Sequence, residues 1–153
     1  IYEGTNGIQA LDLVGRKLVR NKGAYAKSYL AEVRDLVAAT SGDARLAAYA
    51  AATGKAVDSI ESAIAFVIES AAGNADEVNA AAVDFLHAFG FLAYAHMWLL
   101  MAQAAVKGGD GFHADKLKVA DFFFARLLPQ LDSRIVALRA GSGSLMAMDA
   151  ASF

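Results

Sequence analysis

The sequence predicts an all-α protein, an up-down four-helix bundle preceded by a shorter helix that carries a motif. Apolar residues recur every three or four positions through several long segments, which is the spacing of one helix face. No segment of useful length alternates with the two-residue period of a strand. One proline and a few glycine-containing turns leave long helices with short connections, a pattern typical of an up-down bundle.

The first predicted helix runs from about Thr5 to Arg20. Thr5 is suited to cap its N-terminus, and Gly23 follows its end as a stop signal. Helical spacing places three side chains on its apolar face, namely Ile8, Leu11 and Val14.

Two further helices are predicted from about Ala24 to Ala39 and from about Asp43 to Ala72, separated by a turn at residues 40–43. Each has an apolar face. The first of these faces contains Tyr25, Tyr29 or Leu30, Val33, Leu36 and Val37, and the second contains Leu46, Tyr49, Val57, Ile60, Ile64, Val67 and Ile68.

The fourth predicted helix runs from about Ala75 to Lys107, with Asn74 and Glu77 as a capping box. The fifth runs from about residue 113 to residue 140, and we expect Pro129 to kink or break it. Residues 141–144, Gly-Ser-Gly-Ser, predict a flexible joint before a tail of undefined structure.

Composition narrows the class of protein. A chain of 153 residues predicts one domain, and a net charge of −2 without a basic stripe argues against nucleic-acid binding. The absence of cysteine excludes disulfides and thiol chemistry and fits a reducing compartment, so we expect a cytoplasmic location or another reducing one. The first residue is isoleucine and no signal peptide follows it, so we expect a piece of a longer protein.

The fourth helix has two interpretations. It carries no charged residue between Asp84 and Lys107, which is long enough for a membrane span. A helix that is apolar nearly all round is also typical of a bundle centre or an oligomer interface. His87, His96 and a central Gly90 favour the buried helix, so we expect no stable membrane insertion.

No metal site is predicted. Di-iron bundles use glutamates from several helices and Glu-x-x-His pairs, and no glutamate here precedes a histidine by three residues. His87 and His96 are nine residues apart, which places them on opposite faces of one helix. The glycine-rich residues 108–111 could surround an anion but are more typical of an interhelical turn.

The chemistry of the chain is concentrated in its first residues. Glu3 is followed by Gly4 and Thr5 at the predicted start of a helix. A carboxylate there lies close to backbone N–H groups and to the positive end of the helix dipole, which favour the ionised form that a general base needs. The same position is also typical of a solvated charge that only compensates the dipole.

The string Tyr2-Glu3-Gly4-Thr5, followed by Ile8-Gln9, resembles the catalytic-base segment of acyl-CoA dehydrogenases. The resemblance implies that Glu3 removes the α-proton of an acyl-CoA while the β-hydrogen leaves as hydride to FAD. It further implies that Tyr2 and Gly4 contact the substrate and that Thr5 contacts FAD. The family usually has Glu or Gln where this chain has Gly7, so that side-chain contact to the flavin is missing.

The rest of the chain, with Phe122-Phe123-Phe124-Ala125-Arg126 near its end, resembles the extra C-terminal helical domain of one branch of that family. By this resemblance, residues 1–22 end the catalytic helical domain and residues 23–153 form the extension. The enzyme would oxidise acyl-CoA to trans-2-enoyl-CoA and pass electrons to a flavoprotein acceptor of the electron-transfer flavoprotein type. We expect a homo-oligomer, and expect the isolated piece to be inactive. The alternative is a non-catalytic helical bundle for oligomerisation or docking.

Overall fold

The computed structural model describes residues 4–152, and these residues contain helices and turns but no strand. The predicted all-α class is therefore confirmed. The helices are α1 (Asn6–Leu11), α2 (Ala24–Thr40), α3 (Ala47–Ala71), α4 (Ala75–Ala105), α5 (Gly111–Phe122) and α6 (Gln130–Leu138). Two π-helical segments, Asp12–Val19 and Phe123–Leu127, continue α1 and α5, and a short 3-10 turn covers Ala150–Ser152.

Helices α2 and α3 run antiparallel. The start of α2 at Gly23 lies against Ile64 near the end of α3, whereas Arg34 further along α2 pairs with Asp58 and Glu61 nearer the middle of α3. Later residues of α2 therefore contact earlier residues of α3, which is the antiparallel arrangement that a short connection requires.

Helices α4 and α6 are also antiparallel. Arg134 of α6 donates to Asp84 of α4 at 3.0 Å, and Ser142 beyond α6 contacts Glu77 in the first turn of α4. At the other end, the ring of Phe123 stacks on Trp98 at 6.2 Å between centroids. The protein thus has four long helices when α5 and α6 are counted as one interrupted helix. This arrangement confirms the predicted four-helix bundle.

The core lies around α4, which contacts α1, α2, α3, α5 and α6. Its inward face meets the apolar faces of its neighbours in one continuous cluster. The largest fully buried side chains of that cluster are Phe85, Leu18, Ile60, Ile64, Leu92, Leu131, Leu138, Val14, Val33, Val57 and Val67. Burial of this apolar surface contributes about 25 cal/mol of stabilising free energy per Å² and is the main force that holds the helices together.

Helix α4 is long and apolar enough to cross a membrane, but the buried core helix of a bundle can have the same length and composition. Ten of its residues are buried, including Phe85, Leu92 and Leu99, and they pack on the other helices. The interpretation of α4 as the centre of the bundle is thus confirmed for its inward face.

The predicted start of the third helix is wrong, whereas the predicted break of the fifth helix is confirmed. Helix α3 begins at Ala47 instead of Asp43, because the Asp43 carboxylate accepts from the backbone N–H of Arg45 and holds residues 43–46 in a turn. Pro129 does interrupt the last predicted helix, as expected. Since proline has no backbone N–H, the chain widens into the π-helical segment before it and α6 starts after it at Gln130.

The predicted capping box of α4 is only half formed. The Asn74 side chain accepts from the backbone N–H of Asp76 at 2.9 Å, as an N-cap should. The Glu77 carboxylate accepts instead from the hydroxyl and backbone N–H of Ser142, at 2.6 and 3.2 Å. The expected flexible joint is therefore anchored at Ser142, which is 5% exposed.

Candidate functional site

The motif at the start of the chain is described only in part. Tyr2 and Glu3 lie outside the described residues, so their predicted roles stay predictions. Gly4 and Thr5 are exposed, and both have left-handed backbone conformations with φ of 69° and 66°. Threonine rarely adopts positive φ, and such strain is often found at functional sites.

Thr5 occupies the N-cap position of α1 but its side chain does not cap the helix, which corrects the prediction. Its hydroxyl donates to the carbonyl oxygen of Gly4 at 2.6 Å. The left-handed backbone turns this hydroxyl back along the chain, away from the first N–H groups of the helix. The hydroxyl oxygen still has a lone pair for a hydrogen bond from a ligand.

Apart from its chain neighbours, no atom of residues 4–152 lies within 4 Å of the position that a Cβ on Gly4 would occupy. The described residues therefore leave space beside the Gly4 backbone. The substrate and FAD contacts of Gly4 and Thr5 that the resemblance implies stay predictions.

The predicted apolar face of the first helix is wrong at two of its three positions. Ile8 and Leu11 are 67% and 48% exposed, and the residues that enter the core are Ala10, Val14 and Leu18. These three residues are spaced four apart and therefore share one face, which continues from α1 into the π-helical segment that begins at Asp12.

The outer face of the same segment carries charge. The Arg16 guanidinium donates to the Asp12 carboxylate, and Lys17 lies 3.6 Å from the other carboxylate oxygen. The hydrogen bond from Arg16 is the main reason that the pKa of Asp12 falls below its usual value. These groups are exposed, so the pair orders the surface and adds little stability.

The three histidines occupy different environments. His96 is 3% exposed and shares a hydrogen bond with Tyr29, whereas His87 is exposed on the opposite side of α4, as their spacing predicts. His113 contacts Asp110, whose carboxylate caps the N-terminus of α5. Residues 108–111 therefore form an interhelical turn, and between residues 4 and 152 no group of three or more acidic and histidine residues could hold a metal ion.

Helix α4 also has an outward apolar face, which sequence reasoning did not separate from its buried face. We name this face the α4 stripe, and it consists of Val83, His87, Gly90, Tyr94, Met97 and Met101. Their spacing of four, three, four, three and four residues is the signal that could have revealed it. The stripe is uncharged along its whole length.

A groove of about 320 Å³ lies on this stripe at Gly90. It is lined by Leu86, His87, Gly90, Phe91 and Tyr94 of α4 and by Asn6 at the start of α1. The groove therefore connects the outer face of α4 to the residue that follows the Gly4-Thr5 motif.

Comparison with known proteins gives a consistent result. A family model described as acetyl-CoA dehydrogenase C-terminal like matches residues 29–149. The chain is 32% identical, over its full length, to 27% of the broad-specificity linear acyl-CoA dehydrogenase FadE5 of Mycobacterium tuberculosis. It is 35% identical, over 84% of its length, to 23% of the 3-methylmercaptopropionyl-CoA dehydrogenase of Ruegeria pomeroyi. The chain thus spans about a quarter of the length of these curated relatives.

Proposed function

The chain belongs to the acetyl-CoA dehydrogenase C-terminal-like family, and from this membership we propose that it is the C-terminal helical part of an FAD-dependent acyl-CoA dehydrogenase. The observation that carries the proposal is the family match over residues 29–149, in a chain that has a Tyr-Glu-Gly-Thr motif at residues 2–5. Residues 1–22 then end the catalytic helical domain, and residues 23–153 form the bundle that follows it.

The proposed reaction converts an acyl-CoA to its trans-2-enoyl-CoA. Glu3 takes the α-proton, with Tyr2 and Gly4 beside the acyl group and Thr5 at the FAD. FAD, when bound, accepts the β-hydrogen as hydride. The space that the described residues leave beside Gly4 would allow the substrate to approach closely, and the Thr5 hydroxyl oxygen has a lone pair that can accept a hydrogen bond.

The proposal extends to partners and location. An acyl-CoA substrate follows from the relatives, both of which are named as acyl-CoA dehydrogenases or a variant of them. We further propose an electron acceptor of the electron-transfer flavoprotein type, a homo-oligomeric enzyme without stable membrane insertion, and a cytoplasmic or otherwise reducing location. The chain alone is expected to be inactive, because it spans only about a quarter of the length of its relatives.

Substitution of Glu3→Gln in the intact enzyme, expressed from the natural coding sequence, tests this function. We expect turnover of acyl-CoA to fall by at least 10²-fold, since a general base contributes about 10²–10⁴. Flavin absorbance and helical circular dichroism should not change. Glu69→Gln, on the exposed face of α3, is the matched control and should turn over normally.

Retention of full turnover in Glu3→Gln would contradict the role of Glu3. The second candidate function, a non-catalytic oligomerisation or docking bundle, would then gain support. One observation favours that candidate: α4 exposes an uncharged apolar stripe at its surface.

A further inference from the structure

We propose that residues 130–142, which we name the α6 strap, undock as one unit from the groove between α3 and α4 while the rest of the bundle stays folded, with Pro129 as the hinge. The inference goes beyond the proposed dehydrogenase function and does not depend on it, because it concerns the opening of one element and not the reaction. Its test measures hydrogen exchange and not turnover.

The strap is fastened to α3 along one edge. The Lys55 ammonium donates to the Asp132 carboxylate at 3.2 Å. Further along, the Arg139 guanidinium donates to the Ser62 hydroxyl at 2.7 Å. The second contact lies seven residues after the first on both helices, so α6 runs parallel to α3.

The other edge of the strap is fastened to α4. Arg134 donates to the Asp84 carboxylate at 3.0 Å, and the Ser142 hydroxyl donates to the Glu77 carboxylate at 2.6 Å. These two contacts follow the opposite order along α4, which agrees with the antiparallel packing of α4 and α6. The strap therefore lies between the two helices with polar contacts on both sides.

The two ion pairs hold the strap only weakly. The Lys55 and Asp132 side chains are 73% and 57% exposed, and those of Arg134 and Asp84 are 41% and 22% exposed. Water and salt screen pairs of this kind, so each contributes little to stability.

The apolar contacts of the strap come from one short face. Leu131 and Leu138 are buried and Ile135 is partly buried, at a spacing of four and three residues. Helix α6 has nine residues, of which two are buried, whereas ten residues of α4 are buried. Helices shorter than about 12–15 residues are marginal in water without tertiary packing, so α6 cannot stay helical away from the groove. Undocking and unfolding of the strap therefore form one cooperative step.

The chain is loosely packed at the hinge. Because Pro129 has no backbone N–H, one helical hydrogen bond across the junction before α6 is missing. A cavity of about 170 Å³ lies at the same point, with Ala52 and Ala56 of α3 on one side and Leu128 and Leu131 on the other. Atoms that line a cavity lose the dispersion contacts of close packing, so α3 holds the start of α6 less firmly.

Undocking would turn this cavity into an open groove. Ala56, now 5% exposed, would reach solvent together with the apolar surface that Leu131 and Leu138 cover. The strap therefore controls access to an apolar groove between α3 and α4.

Hydrogen exchange followed by mass spectrometry tests the proposal on the protein expressed from its natural coding sequence. We expect the backbone N–H groups of α6 to exchange as a group and to be at least tenfold less protected than those in the middle of α3 and α4. Equal protection of α6 and α4 would overturn the proposal, because the strap would then open only when the whole bundle unfolds.

Val33→Ala separates opening of the strap from unfolding of the bundle. Val33 is fully buried on α2, so its truncation should lower the protection of α3 and α4 about tenfold. The protection of α6 should not change, because the strap keeps all its contacts and opens before the rest. A parallel loss of protection in α6 would overturn the proposal.

Ala52→Leu tests the position of the hinge. Its larger side chain fills the cavity beside Pro129, and we expect the protection of α6 to rise at least threefold. Ala51→Leu, at the exposed neighbouring position of α3, is the matched control and should leave the protection of α6 unchanged. Unchanged or lower protection of α6 in Ala52→Leu would overturn the hinge at Pro129.

Discussion

The hydroxyl of Tyr29 lies 3.1 Å from Nδ1 of His96, and this hydrogen bond joins α2 to α4 inside the bundle. The two rings also meet edge to face, with 5.5 Å between their centroids. His96 is 3% exposed, so its ring nitrogen depends on a partner within the protein. Burial, together with the nearby Glu32 carboxylate, raises the pKa of Tyr29 above its usual value, so the hydroxyl keeps its proton further into the alkaline range than a free tyrosine does.

Removal of that hydroxyl should destabilise the bundle. We expect Tyr29→Phe to lower the free energy of unfolding by about 1–3 kcal/mol, because Nδ1 of His96 loses its partner while it stays buried. Urea unfolding followed by circular dichroism measures the change. Tyr25→Phe is the control, since Tyr25 is 74% exposed, and it should change stability by less than about 0.5 kcal/mol. Equal stability of the two variants would show that the Tyr29–His96 bond contributes nothing.

The environment of a second tyrosine, Tyr49, leads us to expect that the protein loses stability at high pH. Tyr49 donates its hydroxyl to Asp121 and its ring stacks on Phe124 at 4.7 Å. Burial, and next the hydrogen bond to the Asp121 carboxylate, raise the pKa of Tyr49 from 10.0 to about 12. The folded chain therefore keeps this proton at pH values where the unfolded chain releases it.

The sign of the effect follows from that difference. Because the folded state binds the proton more tightly, the stabilisation is complete below pH 10 and is lost as pH rises from 10 to about 12. We expect one tyrosine to ionise near pH 12 in a near-ultraviolet absorbance titration. This step should disappear in Tyr49→Phe and persist in Tyr25→Phe. If Tyr49→Phe leaves the titration curve unchanged, the raised pKa belongs to another group.

Because of the contact between Ser142 and Glu77, we expect alanine substitutions at two nearby glycines to differ in their effect on stability. Gly141 has φ of 73°, and a Cβ on it would lie 2.9 Å from Oε2 of Glu77. We expect Gly141→Ala to cost about 1–3 kcal/mol through backbone strain and displacement of the carboxylate. Gly143→Ala has open space and should be nearly neutral.

Hydrogen exchange at the backbone N–H of Ser142 measures the same contact locally. Protection of this N–H should fall in Gly141→Ala and stay unchanged in Gly143→Ala, because only the first substitution disturbs its Glu77 acceptor. Loss of protection in both variants would mean that the segment is generally loose and not anchored at Glu77.

Much of the fold could be predicted from the sequence because local rules act within a few residues. The apolar spacing in residues 24–71 specifies two helices, and most of the side chains expected inside, such as Val33, Ile60 and Ile64, are buried. Pro129 interrupts the last helix because it lacks a backbone N–H, and this effect does not depend on the residues around it. The motif around Glu3 was recognised instead by the resemblance of its exact string to a known family.

Other features depend on which distant groups meet, and local rules do not contain that information. Glu77 was expected to close its own capping box, but the tail brings the Ser142 hydroxyl to within 2.6 Å of its carboxylate. Ile8 and Leu11 were expected inside, but the neighbouring helices cover Ala10 and Val14 instead.

By itself, the sequence determined the helical class, the positions of the helices to within a few residues, and the resemblance of its first residues to a catalytic-base motif. Periodicity, turn residues and residue chemistry are local properties, so no partner element is needed to read them. Only the tertiary structure decided which face of the nearly uncharged α4 is covered. Both faces are apolar, and burial of one of them depends on where the neighbouring helices lie. Their packing covers Phe85, Leu92 and Leu99 and leaves Tyr94 and Met97 at the surface.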